Sequence, residues 1–283
     1  MKTRSISAVG IVLVSLLPAF IGGWVFAATI AIIFTLAFRE LIRLIENLDA
    51  FTLWFGMVII SVSCAIATIW PDDRGLPLVM VVMCLVPLMF VILPADGPVK
   101  IADWAVRMGS VIYLALPAYA AVSLRNIEGS GPGWLADSVD AAFGDPKFAE
   151  GLAWFLLALL VTWMSDTFAY LVGKSIGRTP LIPRVSPKKT VEGAIGGLVA
   201  AGITAVLVNH YAELGANIFV AFLVGVVLGS LGQMGDLFES QLKRRAGVKD
   251  SGSAIPGHGG FLDRIDALIW VLLATFAVVP FIA

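Results

Sequence analysis

Nine apolar stretches run along this chain almost from its first residue to its last: residues 6–21, 23–38, 52–69, 76–93, 104–124, 152–172, 191–209, 218–235 and 267–283. One soluble core cannot absorb so many long apolar segments, whereas a bilayer crossing needs about 20 apolar residues in helical form. Charged residues make up 14% of the 283 positions, against about 25% in average soluble domains. Within lipid a helix satisfies its own backbone polar groups. The chain is therefore expected to be an all-α, polytopic integral membrane protein with about nine transmembrane helices. Several stretches fall short of a full crossing and call for local thinning or added interfacial turns. Residues 6–38 are too long for one ordinary crossing, so Gly22 and Gly23 are read as a tight turn between two. The basic start and apolar run resemble a signal peptide, but further apolar segments follow, and the run is read as a first membrane helix. Cys64 and Cys84 both lie inside apolar segments and read as small buried residues rather than a disulfide or metal site.

The cations orient the chain. With the N-terminus inside, the C-terminus outside and nine crossings, sixteen of the 19 Lys and Arg residues fall on the inner side. Only Arg74, Arg125 and Lys147 fall outside, as the positive-inside rule requires. The implied divisions are N-terminal transmembrane helices (1–124), an external acidic loop with a short surface helix (125–151), and a C-terminal transmembrane region (152–283) with inner loops at 173–190 and 236–266. The small residues of 193–197 (GAIGG) and the Gly225, Gly229 pair read as close helix packing.

Both inner loops are chemically dense. Asp236, Glu239, Ser240 and Lys243 stand at helical spacing on one stripe, starting where the eighth apolar stretch ends. A carboxylate at that depth needs a compensating cation. Arg244 and Lys249 follow, then Asp250 and the run Gly257-His258-Gly259-Gly260, where bare backbone lets N–H groups approach an anion. Asp263 and Asp266 share one face at the start of the ninth helix, where the helix dipole favours carboxylates, and Arg264 lies between them. In the other loop Asp166 is an intramembrane carboxylate, a functional candidate by default. Ser186 and Pro187 read as N-cap and first residue of the seventh helix. That places Lys188 and Lys189, followed by Thr190, at a helix N-terminus, where an anionic ligand would offset their charge. Four carboxylates (Asp236, Asp250, Asp263, Asp266) on one membrane face suit Mg²⁺, which binds through few carboxylates plus substrate phosphates.

The pattern S-x-x-K-R-x-x-x-x-K-D-x-G-x-x-I-P-G-H-G-G-x-x-D-R-x-D over residues 240–266 resembles the signature of the phosphatidate cytidylyltransferase (CDP-diacylglycerol synthase) family. Residues 235–240 (GDLFES), residues 186–193 (SPKKTVEG) and Asp166 with Ala169, Tyr170 and Gly173 also resemble that family. The likeness covers about the last 120 residues; the first 150 share only hydrophobic helices. The resemblance implies a Mg²⁺-dependent enzyme, with or without a second cation, that makes CDP-diacylglycerol and diphosphate from CTP and phosphatidate. It implies a catalytic set of Asp236, Lys243, Arg244, Lys249, Asp250, His258, Asp263, Arg264 and Asp266. The four aspartates are its metal ligands. Asp166, Ser186, Lys188, Lys189, Thr190, Glu239, Ser240, Gly257, Gly259 and Gly260 bind the substrates. Membrane lipids and a homodimer are the expected partners, with no nucleic acid. The expected location is a bacterial inner membrane with the site on the cytoplasmic side. Two other classes compete: a CTP-dependent polyprenol or dolichol kinase, which would release CDP, and a transporter, which would place its charges along a path through the bilayer midplane.

Overall fold

A computed structural model describes residues 2–45, 50–70, 75–92, 100–129, 131–143, 148–255 and 259–282. The first helices, α1 (Lys2–Ile21), α2 (Gly23–Leu44), α3 (Ala50–Ile69), α4 (Gly75–Ile92) and α5 (Ile101–Arg125), follow the first five apolar stretches. A short α6 (Gly133–Phe143) lies within the expected external loop. Then come α7 (Ala149–Ile176), a ribbon of β1 (Pro180–Ile182) and β2 (Ser186–Thr190), α8 (Val191–Tyr211), α9 (Ile218–Arg245) and α10 (Leu262–Val278). Among the described residues seven helices are long and apolar enough to cross a membrane: α2, α3, α5, α7, α8, α9, and α10 with its terminal 3₁₀ turn.

The chain turns between α1 and α2 where expected. Gly22 has φ 71° and Gly23 φ 51°, a left-handed conformation that glycine adopts without a Cβ penalty. α7 and α9 each have 28 residues, about 42 Å at 1.5 Å per residue, against a hydrocarbon core of about 30 Å. Both are longer than an upright crossing needs, and α9 carries its stripe of Asp236, Glu239, Ser240 and Lys243 in its C-terminal turns.

Small residues set the spacing in the C-terminal half. A Cβ on Gly225 would come within 2.4 Å of the Ala201 carbonyl oxygen, and one on Gly229 within 2.6 Å of the Ala201 Cβ. α8 and α9 thus pack nearly backbone to backbone, the close approach that glycine allows in membrane helices. Gly235 does the same between α9 and α10, where an added Cβ would meet Trp270 Cδ1 at 2.3 Å and the Asp266 carbonyl oxygen at 2.7 Å.

The structure corrects the start of α8. Ser186 is not its N-cap. Pro187 fixes its own φ and biases Ser186 to extended backbone, and residues 186–190 form β2, antiparallel to β1. The cap is Thr190, whose Oγ1 accepts from the Gly193 N–H at 3.1 Å. Lys188 and Lys189 therefore sit on a strand before the helix. The ribbon is a small departure from an all-α chain.

At one end of the bundle Arg125, 2% exposed, closes the C-terminus of α1. Its Nε donates to the Ala19 carbonyl, Nη2 to the Phe20 carbonyl at 3.2 Å and Nη1 to the Phe148 carbonyl at 3.1 Å. A cation stabilises the negative end of a helix dipole. Close by, Asn126 donates to the Ala67 carbonyl near the end of α3, and Trp134 of α6 donates to the Tyr211 carbonyl at the end of α8 at 2.8 Å.

Candidate active site

At the opposite end a polar cavity of about 530 Å³ opens between α7, β2, α8, α9, the 246–261 loop and α10. Its walls hold Asp166, Lys188, Lys189, Thr190, Asp236, Lys243, Asp250, Asp263, Arg264 and Asp266. Residues from both inner loops, 46 or more positions apart, are thereby gathered in one cleft. Tyr170, Lys174 and Gln233 complete much of the wall. Gln233 is fixed from behind, donating to the Ala194 carbonyl at 3.0 Å.

Two ion-paired lysines organise the cavity. Lys189 Nζ lies 2.5 Å from Asp236 Oδ2, with both side chains about 30% exposed. This pair ties β2 to α9, and Ser240 donates to the other Asp236 oxygen at 3.3 Å. The second is deeper: Lys243 Nζ sits 2.5 Å from Glu239 Oε2 and 2.6 Å from Asp263 Oδ1, with Glu239 fully buried. Removing one member of such a pair leaves an uncompensated buried charge and costs about 3–5 kcal/mol.

Asp263 is the most heavily engaged carboxylate. Besides Lys243, it accepts from the Gly260 N–H at 2.8 Å, the Ser251 N–H at 2.9 Å and the Ser251 hydroxyl at 2.9 Å, all on Oδ2. The open backbone at Gly260 is thus turned toward a side-chain carboxylate of the protein. Gly259, at φ 82°, would place a Cβ 2.6 Å from the same oxygen. His258 and Gly257 lie outside the described residues.

A carboxylate that the sequence reading passed over closes the network. Glu40, near the end of α2 and 5% exposed, accepts from the Leu262 N–H at 2.9 Å, the first residue of α10. A carboxylate there satisfies an orphan N–H and the helix dipole together. Its Oε2 is also 3.1 Å from the Ser251 hydroxyl, whose single proton serves Glu40 or Asp263 at any moment. A Cβ on Gly252 would come within 2.5 Å of Glu40, and one on Gly260 within 2.2 Å. Two of the loop's glycines therefore leave room for a carboxylate delivered from the N-terminal half. In sequence Glu40 was one acid beside Arg39 and Arg43 at the end of an apolar stretch, with no motif around it.

Other expected site residues lie elsewhere. Arg244 is exposed and donates to the Val248 carbonyl at 3.0 Å, closing the end of α9. Lys249 is exposed, and Ser186 sits on β2; neither lines the cavity among the described residues. Glu239 and Ser240 support it from behind through Lys243 and Asp236.

The donor set is hard oxygen, as Mg²⁺ prefers. Among the described residues, however, no three His, Cys, Asp or Glu side chains converge on a metal position, and Asp263 already receives four donors. The site fits a cation held by one or two carboxylates and completed by substrate phosphates. It does not fit a cage of four carboxylates. Asp236 and Asp266 are the better placed: both line the cavity, and Asp266, which accepts from the Ala267 N–H of its own helix, lies against the Glu239 carboxyl, where a cation would offset the crowding of acids.

The chain has relatives among known proteins. A phosphatidate cytidylyltransferase of Staphylococcus aureus (strain COL) is 33% identical over 279 residues, covering 96% of each chain. One from Staphylococcus haemolyticus is 46% identical over 124 residues, covering 44% of this chain and 48% of that protein. In such shorter alignments the chain spans about half the length of its relative. The cytidylyltransferase family matches residues 2–282, which takes in both loops of the cavity, its ion pairs and Glu40. The chain belongs to that family.

Proposed function

We propose that this protein transfers the cytidylyl group of CTP to phosphatidate, forming CDP-diacylglycerol and releasing diphosphate. A phosphate oxygen of the lipid attacks the α-phosphorus. The bond to the bridging oxygen breaks, and its electron pair leaves with the diphosphate. The attacking phosphate is already ionised, so no general base is required. What such a transfer needs is alignment and charge compensation. The observation that carries the reading is the single cavity in which Lys188, Lys189, Lys243 and Arg264 face Asp166, Asp236, Asp250 and Asp266, in a chain related over nearly its whole length to a phosphatidate cytidylyltransferase.

Lys188, Lys189 and Arg264 bind phosphate oxygens. Asp236 and Asp266 hold Mg²⁺, which supplies neutralising charge at the phosphates. Lys243, already held by Glu239 and Asp263, keeps the cavity floor in place. Nine crossings, with the N-terminus and the cavity on the cytoplasmic side of the inner membrane, account best for the sixteen-to-three distribution of cations. The test is an assay of the purified chain with CTP and phosphatidate, with and without EDTA. Lipid-dependent release of diphosphate that EDTA abolishes is expected. Release of CDP would indicate a γ-phosphate kinase and overturn the reading.

A further inference from the structure

A second cavity, of about 310 Å³, lies between α1, α2, α7 and α10. That volume is at the low end of the roughly 300–1,000 Å³ of ligand cavities. Its wall is mostly apolar, with Phe26, Ile30 and Phe34 on one side and Phe155 and Leu268 on the other, and Ser15, Thr29 and Arg264 as its polar members. The hydroxyl of Thr29 is turned back to the Val25 carbonyl of its own helix at 2.8 Å. Arg264 is the one charged side chain in this wall among the described residues, and the one residue it shares with the polar cavity. Arg264 is exposed, and no carboxylate lies within ion-pair distance of it among the described residues.

We infer that one acyl chain of the lipid substrate occupies this apolar cavity, with its phosphate on Arg264. The inference rests on the proposed function and adds where the lipid sits. Phosphatidate carries an anionic phosphate on a glycerol unit that bears two apolar acyl chains. Its phosphate must reach the CTP phosphates while its tail stays out of water. A polar and an apolar cavity joined at one uncommitted guanidinium meet both needs, since Arg binds phosphate through a rigid planar fork of donors. A nucleoside triphosphate has no partner in the apolar wall. The volume suits part of one chain, so the other chain stays among the membrane lipids.

The test uses the full chain in detergent micelles and compares dioleoyl with dihexanoyl phosphatidate by diphosphate release. Ile30→Trp and Leu268→Trp narrow the cavity. Each is expected to lower kcat/KM for the dioleoyl lipid about tenfold or more relative to its effect on the dihexanoyl lipid. Arg264→Ala is expected to raise KM for both lipids alike, because it meets the phosphate they share. Equal losses on both lipids in the Trp variants, or no loss on either, would overturn the inference. So would a shift only in thermal unfolding on delipidation with the chain-length profile intact, the mark of a resident structural lipid. Failure of the unaltered chain to release diphosphate with either lipid would instead overturn the functional reading, and the lipid site with it.

Discussion

The two ends of the helix bundle bury charge in different ways. At one, Arg125 is held by backbone carbonyls of residues 19, 20 and 148. At the other, Glu40, Glu239, Lys243 and Asp263 hold one another and the N-terminus of α10. α2 joins the two: Gly22, before its first turn, lies against Arg125, and Glu40 is 18 residues further on, about 27 Å along a helix. The Arg125 end closes a helix terminus. The Glu40 end fixes one set of charges and opens on a cavity whose wall holds Lys189, Asp236, Lys243 and Asp263, already paired with acids or lysines of the chain, and Arg264, which has no ion-pair partner among the described residues. Paired charges build the frame, and Arg264 is left for a ligand.

Substitutions can break or sharpen that contrast. Asp263→Asn keeps the shape but removes the charge opposite Lys243. Phosphatidate-dependent diphosphate release is expected to fall about 10²- to 10³-fold, the scale of losing one preorganised electrostatic group, with the protein still inserted in the membrane. Normal turnover would remove Asp263 from the site. Arg125→Met should do the reverse. It leaves buried carbonyls without a donor, at about 1–3 kcal/mol each, so the thermal unfolding midpoint in detergent should drop while kcat of the surviving folded protein stays near the parent value. A selective loss of kcat would erase the distinction between the two ends.

Glu40→Gln is intermediate. It still accepts a hydrogen bond but without charge, a loss of about 1–2 kcal/mol and so about tenfold in kcat, with little change in KM for CTP. A variant altered in stability alone would place Glu40 with Arg125. The smallest effect is expected from Arg245→Ala, exposed near the end of α9: within about twofold in rate, as for surface positions generally. A larger loss would extend the site beyond the cavity.

How much of this was legible beforehand differs by residue. The stripe of Asp236, Glu239, Ser240 and Lys243 was readable because helical spacing alone puts those positions on one face, and two contacts along it are formed. The start of α8 was misread because Ser-Pro serves equally as a helix start and as extended backbone, and pairing of β2 with β1 decided between them. The glycine run announced close approach of an anion. In the structure its described members, Gly259 and Gly260, lie against the carboxylates of Asp263 and Glu40, and composition cannot distinguish those from a phosphate. Glu40 was unreadable, since its meaning depends on Leu262, which lies 222 positions away.

By itself the sequence determined a helical membrane protein with its chemistry in two charged loops. Apolar length, the sign of the loop charges and residue spacing are local properties that act before any tertiary contact forms. Only the tertiary structure decided which charges are spent on one another and which face the cavity. That depends on helices approaching to backbone distance at Gly225, Gly229 and Gly235, and on a carboxylate from α2 reaching the first turn of α10. A charged side chain takes its role from the partner it meets at about 3 Å, and in this chain many of those partners lie far away in sequence.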